Sequence, residues 1–160
     1  MTRQHFIDRV ECTQSAFRRF LCALCCGDTQ LADDIAQESY VKAWLSCEGL
    51  SDLSKFKAWI FRIGYNTFLN NRREARHTDG YDAARDVRAS ETADASFRYE
   101  ALYDALESLP DKERMSVLLF YMEGYSVKEI ASIVEASSDA VRQHLSRGRN
   151  RLRGLLNTDN

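Results

Sequence analysis

Residues 124–147 read GYSVKEIASIVEASSDAVRQHLSR. This stretch holds two helix signals separated by a turn of three residues. Ser126 with Glu129 three positions later is a capping box, which opens a helix by satisfying two orphan backbone donors reciprocally. Ile130 and Val134 lie on its inward side. Ser137 can cap a following helix, in which Val141, Leu145, Leu152 and the pair Leu155/Leu156 turn toward a core. A short turn between two such helices lets the first brace the second, so that its N-terminal face can enter a DNA major groove. Ser138, Asp139, Arg142, Gln143, Ser146 and Arg147 then point outward. Arginine and glutamine there can make paired hydrogen bonds to guanine and adenine edges. Ser137, Ser138 and the helix N-terminus suit phosphate oxygens. Arg149, Arg151 and Arg153 add attraction that is blind to sequence. Glu135 stands where such a turn often has glycine. A non-glycine residue at positive φ costs roughly 1 kcal/mol, so a local adjustment of the turn is expected.

Working outward, Leu102, Leu106 and Leu109 share a stripe ahead of Pro110. Asp111 can cap a helix carrying Val117, Leu118 and Tyr121, which Gly124 would stop. These pieces predict a helical domain over residues 99–160. One proline and seven glycines in 160 residues favour an all-helical chain. A hydrophobic fraction of 44% is enough to pack a core.

The first half shows the same 3.6-residue rhythm. Phe6, Val10, Phe17, Phe20/Leu21 and Leu24 mark one amphipathic helix, broken at Gly27-Asp28. Thr29 can cap a second, with Leu31, Ile35, Ser39, Ala43 and Trp44 down one side. Residues 46–54 read as a loop, and Ser54 starts a third helix with Phe56, Trp59/Ile60, Ile63 and Thr67 inward. These three helices predict a small bundle over residues 1–77. Residues 78–98 are dominated by small and acidic side chains and read as a flexible tether.

Net charge is −2, which argues against strong autonomous DNA affinity. The charges are segregated, however. Residues 55–76 carry six Lys/Arg against Glu74 alone, and residues 141–156 carry five Arg and no acid. Acids gather at Asp28, Asp33, Asp34 and Glu38, and again at Asp79, Asp82, Asp86, Glu91 and Asp94. The five cysteines, an odd number without a signal peptide, fit a reduced cytoplasmic protein. Cys22 and Cys25 have the gap of a zinc half-site, but no second pair completes it, so neither metal nor cofactor is expected. No apolar run is long enough to span a membrane.

Residues 33–44 (DDIAQESYVKAW), residues 56–67 (FKAWIFRIGYNT) and Arg72-Arg73 resemble region 2 of an extracytoplasmic-function (ECF) sigma factor of the sigma-70 family. Residues 106–114 (LESLPDKER), followed by the helix-turn-helix, resemble region 4 of the same family, in the same order. The resemblance implies a non-enzymatic transcription initiation subunit without regions 1.1 and 3. By residue matching it places Asp33, Asp34, Gln37, Glu38, Lys42 and Trp44 against the β′ clamp helices of core RNA polymerase. It places Lys55, Lys57, Arg62, Asn66, Asn70, Arg72 and Arg73 on the opened minus-ten promoter element, with a flipped base held by loop 46–54. It places Ser137, Ser138, Asp139, Arg142, Gln143, Ser146, Arg147 and Arg149 on the minus-thirty-five element, with region 4 also touching the β flap. The acidic tether would run near the RNA exit path, and an anti-sigma factor is implied as a partner.

Two other readings stay open on the residues alone. One is a stand-alone helix-turn-helix regulator with an N-terminal dimerisation or sensor domain. The other is an enzyme or metal protein built on Cys22, Cys25, Cys26, His5 and His77, for which no nucleophile–base pair or phosphate loop is visible.

Overall fold

The computed structural model describes residues 1–77 and 93–157, and among these every regular element is a helix. The chain divides into two compact units: Met1–Leu21 with Thr29–Val87, and Cys22–Asp28 with Arg88–Asn160. This differs from a division at residues 77 and 99 in placing Cys22–Asp28 with the second unit. Residues 78–92 of the expected tether lie outside the described residues, and residues 93–98 already belong to a helix.

The first unit is built on α1 (Arg3–Leu24), α2 (Thr29–Ser46) and α3 (Phe56–His77). Its core is aromatic. Phe61 receives the edges of Phe17 and Phe20, with ring centroids 5.4 and 4.7 Å away, and Phe17 also meets Tyr40 at 5.5 Å. Edge-on contact sets the positive rim of one ring against the negative face of the next. Ile35, Ser39 and Ala43 are buried as their spacing predicts, and Ala32 joins them. The buried Ser39 donates back to the Ile35 carbonyl at 2.6 Å, which satisfies its hydroxyl inside an apolar face. The buried face of α3 is wider than the expected stripe. Phe61, Tyr65 and Phe68 are buried, whereas Trp59 and Ile63 are half-buried. The reason is that α3 packs on α2 while receiving rings from α1. The linker at 46–54 is less irregular than a loop. It forms single 3-10 turns at Cys47–Gly49 and Leu53–Lys55, so α3 starts at Phe56 rather than Ser54. Asp52 caps the second turn by accepting from the Ser54 amide (3.0 Å) and hydroxyl (2.6 Å). The Ser54 hydroxyl bond, before any other cause, holds the Asp52 carboxyl below its ordinary range.

The second unit contains α4 (Ala93–Glu107), α5 (Asp111–Tyr121), α6 (Val127–Val134) and α7 (Ser138–Asn157). Leu106, Leu109, Met115, Leu119, Ile130, Ile133, Val141 and Leu145 fill its core. Four expected core positions are displaced: Leu102, Tyr121, Leu155 and Leu156 are exposed. Pro110, not Asp111, sits at the cap of α5. Its fixed φ starts the helix, and Asp111 in the first turn complements the positive end. Arg114 is buried, and its guanidinium takes over the end of α4. Its Nε donates to the Leu106 carbonyl at 2.8 Å, and its Nη2 donates to those of Glu107 and Leu109 at 3.2 and 3.3 Å. The Leu106 carbonyl also accepts from the Leu109 amide at 3.1 Å, so the guanidinium adds to the bonds that close the turn into α5.

Gly64 marks a close approach of α3 to α1. A Cβ there would lie 2.7 and 2.8 Å from Cε1 and Cζ of Phe17, a fully buried ring pinned by Tyr40 and Phe61. A Cβ added at Gly154 on α7 would meet nothing within 4 Å. Gly64→Ala is therefore expected to destabilise the protein by about 1–3 kcal/mol through overpacking. Gly154→Ala gains up to roughly 1 kcal/mol from helix propensity alone. Thermal unfolding of both variants tests the contrast, and equal shifts of one sign would contradict the packing.

Candidate nucleic-acid interface

The helix-turn-helix assembles from its caps. Ser126 Oγ accepts from the Glu129 amide at 3.2 Å, and the Ser126 amide donates to Glu129 Oε1 at 3.1 Å, so the capping box is closed. At the other end of α6, Glu135 takes φ 56° and ψ 50°. The Ala136 amide donates to the Ala131 carbonyl at 3.0 Å, which closes the end of the helix around a left-handed residue. The turn is thus not adjusted to avoid the glutamate; Glu135 itself adopts the strained conformation. Ser137 then caps α7, its Oγ accepting from the Ala140 amide at 3.1 Å.

The rotation of α7 is fixed by Val141, Leu145 and Gly148, all buried. A Cβ on Gly148 would lie 2.7 Å from Val117 Cγ2, so the glycine lets α7 lie directly on α5. Ser137, Asp139, Arg142, Gln143, Ser146, Arg147 and Arg149 are exposed, and Ser138 is half-buried. The predicted outward set therefore lies together on the solvent side of the first three turns. Two internal contacts shape it. Arg142 Nη1 donates to Asp139 Oδ1 at 2.8 Å, and Arg149 Nη1 donates to the Tyr121 hydroxyl at 3.3 Å.

Arg151 faces differently from its neighbours. Its Nε lies 3.2 Å from Oε2 of Glu113, whose side chain is only 6% exposed. That oxygen makes no aligned hydrogen bond, so the contact is one of charge. Arg151 thus neutralises a carboxylate under α7, and its charge is not simply offered to phosphate. His144 lies nearby with its Nδ1 buried and unbonded. Burial first, and then Lys112, hold its imidazole below the ordinary range. Sequence reasoning missed this cluster. The available signal was Glu113 and Arg114 inside an otherwise buried helix.

In the first unit the residues expected at the polymerase sit on α2, but not all are uncommitted. Asp33 pairs with Arg18 of α1 at 3.0 Å. Lys42 pairs with Glu38 at 3.1 Å and donates to Thr67 Oγ1 at 3.2 Å, which ties α2 to α3. Trp44 is half-buried, edge-on to Phe6 at 5.2 Å, with the Arg3 guanidinium 5.2 Å from its ring centre. Asp34, Gln37 and Glu38 are exposed. Val41 and Leu45, at 59% and 78% exposure, continue that face. Sequence reasoning missed both, although they follow Glu38 at three- and seven-residue intervals, the spacing of one helix face.

On α3, Arg62, Asn66, Asn70 and Arg73 are exposed at intervals of four, four and three, forming one polar stripe; Lys55 is exposed before it. Lys57 and Arg72 are half-buried and lie over the rings of Phe61 (5.8 Å) and Phe68 (5.2 Å). Trp59 leans on Phe56 at 5.7 Å. Among the described residues no group of three His, Cys, Asp or Glu side chains could hold a metal ion. The cysteines are free thiols, and burial pushes Cys25 well above the usual thiol range. No helix among the described residues is long and apolar enough to cross a membrane.

Comparison with known proteins matches each of the two units to a family model. The family model described as "Sigma-70 region 2" matches residues 9–78, and that described as "Sigma-70, region 4" matches residues 99–152. The ECF RNA polymerase sigma-E factor of Haemophilus influenzae is 31% identical over 131 residues, covering 72% of this chain and 69% of its own. The ECF RNA polymerase sigma factor EcfG of Rhodopseudomonas palustris is 28% identical over 137 residues, covering 83% and 75%. Among solved structures, the sigma factor RpoE in complex with the anti-sigma factor NepR from Bartonella quintana superposes with a TM-score of 0.81. It shares 25% identity and covers 97% of this chain and 98% of its own.

Two predictions follow from the turn and the cluster beneath it. Glu135→Gly removes the left-handed penalty and is expected to stabilise the second unit by about 0.5–1 kcal/mol, read as a raised thermal midpoint; a lowered one would show that the glutamate side chain matters more than its backbone. His144 binds its proton less tightly folded than unfolded. Its contribution is therefore full above the ordinary imidazole value, about pH 6.5, and is lost as pH falls from there through the lowered folded value. Stability should drop as pH falls below about 6.5, and His144→Gln should flatten that part of the curve.

Proposed function

Because the chain belongs to the extracytoplasmic-function branch of the sigma-70 family, we propose a division of labour between its two units. The protein is an RNA polymerase sigma factor: it binds core polymerase and promoter DNA and directs promoter-specific initiation. It acts where the polymerase acts, in the cytoplasm, and its own residues catalyse no reaction. The observation that carries this reading is the presence, in order on one chain, of a region-2 unit with an exposed basic-amide stripe and a region-4 unit with an exposed polar and basic face on α7.

In the first unit, the face formed by Asp34, Gln37, Glu38, Val41 and Leu45 is acidic and apolar. It is suited to a basic helical partner, the β′ clamp helices, since complementary charge orients the encounter while the exposed leucine and valine supply buried area. Asp33, Lys42 and Trp44 hold that face in shape through α1 and α3. The stripe of Lys55, Arg62, Asn66, Asn70 and Arg73 tracks the opened minus-ten strand, with Lys57 and Arg72 at its border. In the second unit, Arg142 and Gln143 read base edges of the minus-thirty-five element. Ser137, Ser138, Ser146, Arg147 and Arg149 hold phosphates, and the unit also engages the β flap. An anti-sigma factor is the expected regulator, in keeping with the complex in which the related RpoE was solved.

The test is transcription in vitro with core polymerase on a library of genomic fragments. Discrete promoter-dependent transcripts that require this protein are expected, together with a stable complex with core. If it fails to direct initiation and fails to co-purify with core, the reading is wrong. Sequence-specific binding to a palindrome without polymerase would instead identify a stand-alone regulator.

A further inference from the structure

We propose that Asp139 is a positioning residue for specificity: it holds the Arg142 guanidinium in the orientation that reads a guanine, and does not itself contact DNA. The proposal rests on the assignment of α7 as the minus-thirty-five reader.

The two side chains lie three residues apart on the first turns of α7, with Arg142 Nη1 2.8 Å from Asp139 Oδ1. Both are open to solvent, at 62% and 90% exposure. An exposed pair of this kind contributes little to stability, so its value has to be sought elsewhere. Asp139 is the one acid among the residues facing outward from the first three turns. An isolated carboxylate there would oppose docking onto phosphate. Joined to Arg142, it has a different effect. An arginine side chain carries rotamer freedom that must be given up before its planar fork can meet two acceptors on one base. A carboxylate engaging Nη1 removes part of that freedom in advance. It leaves the Nε and Nη2 donors, and the second Nη1 hydrogen, free for a paired contact with guanine O6 and N7. It also lowers the residual charge that Arg142 could offer to a phosphate, which biases the group toward the base edge.

The measurement is initiation by reconstituted holoenzyme on a library randomised in the minus-thirty-five element. The base preference is read as a ratio between sequences, so the fraction of folded protein cancels. Arg142→Ala locates the base pair that Arg142 governs. Asp139→Ala is expected to lower the preference at that same base pair by about fivefold or more. It should also raise use of non-preferred sequences and steepen the salt dependence by about one counterion. Asp139→Glu, which can still reach Arg142, should restore much of the preference. In the Arg142→Ala background, Asp139→Ala should change the preference no further. The proposal is overturned if Asp139→Ala leaves the ratio intact while Arg142→Ala alters it. It is equally overturned if Asp139→Ala shifts preference at a different base pair regardless of Arg142, the behaviour of a carboxylate accepting directly from cytosine. If Arg142→Ala itself changes no preference, the assignment of α7 as the reader fails as well.

Discussion

The rotation of α7 about its own axis decides what this molecule can present to DNA. An α-helix turns by about 100° per residue, so a slip of one position would put Arg142, Ser146 and Arg149 where Val141, Leu145 and Gly148 are buried. Val141 and Leu145 anchor one side in the core, and Gly148 brings the helix down onto Val117 of α5. With those three fixed, Arg142, Gln143, Ser146 and Arg147 have only one direction to face. Everything proximal serves the same setting. The Ser126–Glu129 box fixes the start of α6, Glu135 accepts a strained backbone to end it, and Ser137 fixes the start of α7. The glutamate at the turn is therefore informative. A local cost is tolerated because the turn is determined from both sides.

Much of this was legible in the residues. Caps, the inward Val141 and Leu145, and the outward set follow from spacing alone. The errors have a common origin. Periodicity identifies a stripe, but it does not say how many neighbours a helix has. On α3, rings from α1 and the packing of α2 widen the buried face to include Phe61, Tyr65 and Phe68. Leu155 and Leu156 keep the heptad-like rhythm of α7 yet are exposed. Two charged residues depart in the opposite sense. Glu113 and Arg114 look like surface positions by type, yet both are buried, one against Arg151 and one on the carbonyls that end α4. A single sequence cannot reveal these pairings, because the partners are brought together only by the turn at Pro110 and the crossing of α7.

The candidate surface of the first unit shows how a binding face can be held by residues that resemble its contacts. Asp33, Lys42 and Trp44 match a family pattern, and each is engaged inside the unit, by Arg18, Thr67 and Phe6 respectively. In the proposed reading these contacts fix the tilt of α2, and the exposed residues alongside them, with Val41 and Leu45 supplying area, meet the partner. On that reading the first group acts through the shape of the helix and the second through direct contact.

Charge ties the two units to one physical requirement. The chain as a whole is slightly acidic, and the cations on α7 are fewer than they appear. Arg151 answers Glu113 and Arg142 is joined to Asp139. Arg147 and Arg149 are exposed, and among the described residues neither is paired with an acid, which leaves them as the proposed phosphate contacts on that face. Each neutralised phosphate contributes one increment to the salt-dependent attraction that dominates non-specific binding. A surface with few such contacts binds random DNA weakly and takes a larger share of its selectivity from base edges. Such a surface works well when something else holds it near the duplex, and in the proposed reading that is the polymerase. Weak attraction by the isolated chain is then an advantage, since a protein that clung to arbitrary DNA would compete with its own delivery to promoters.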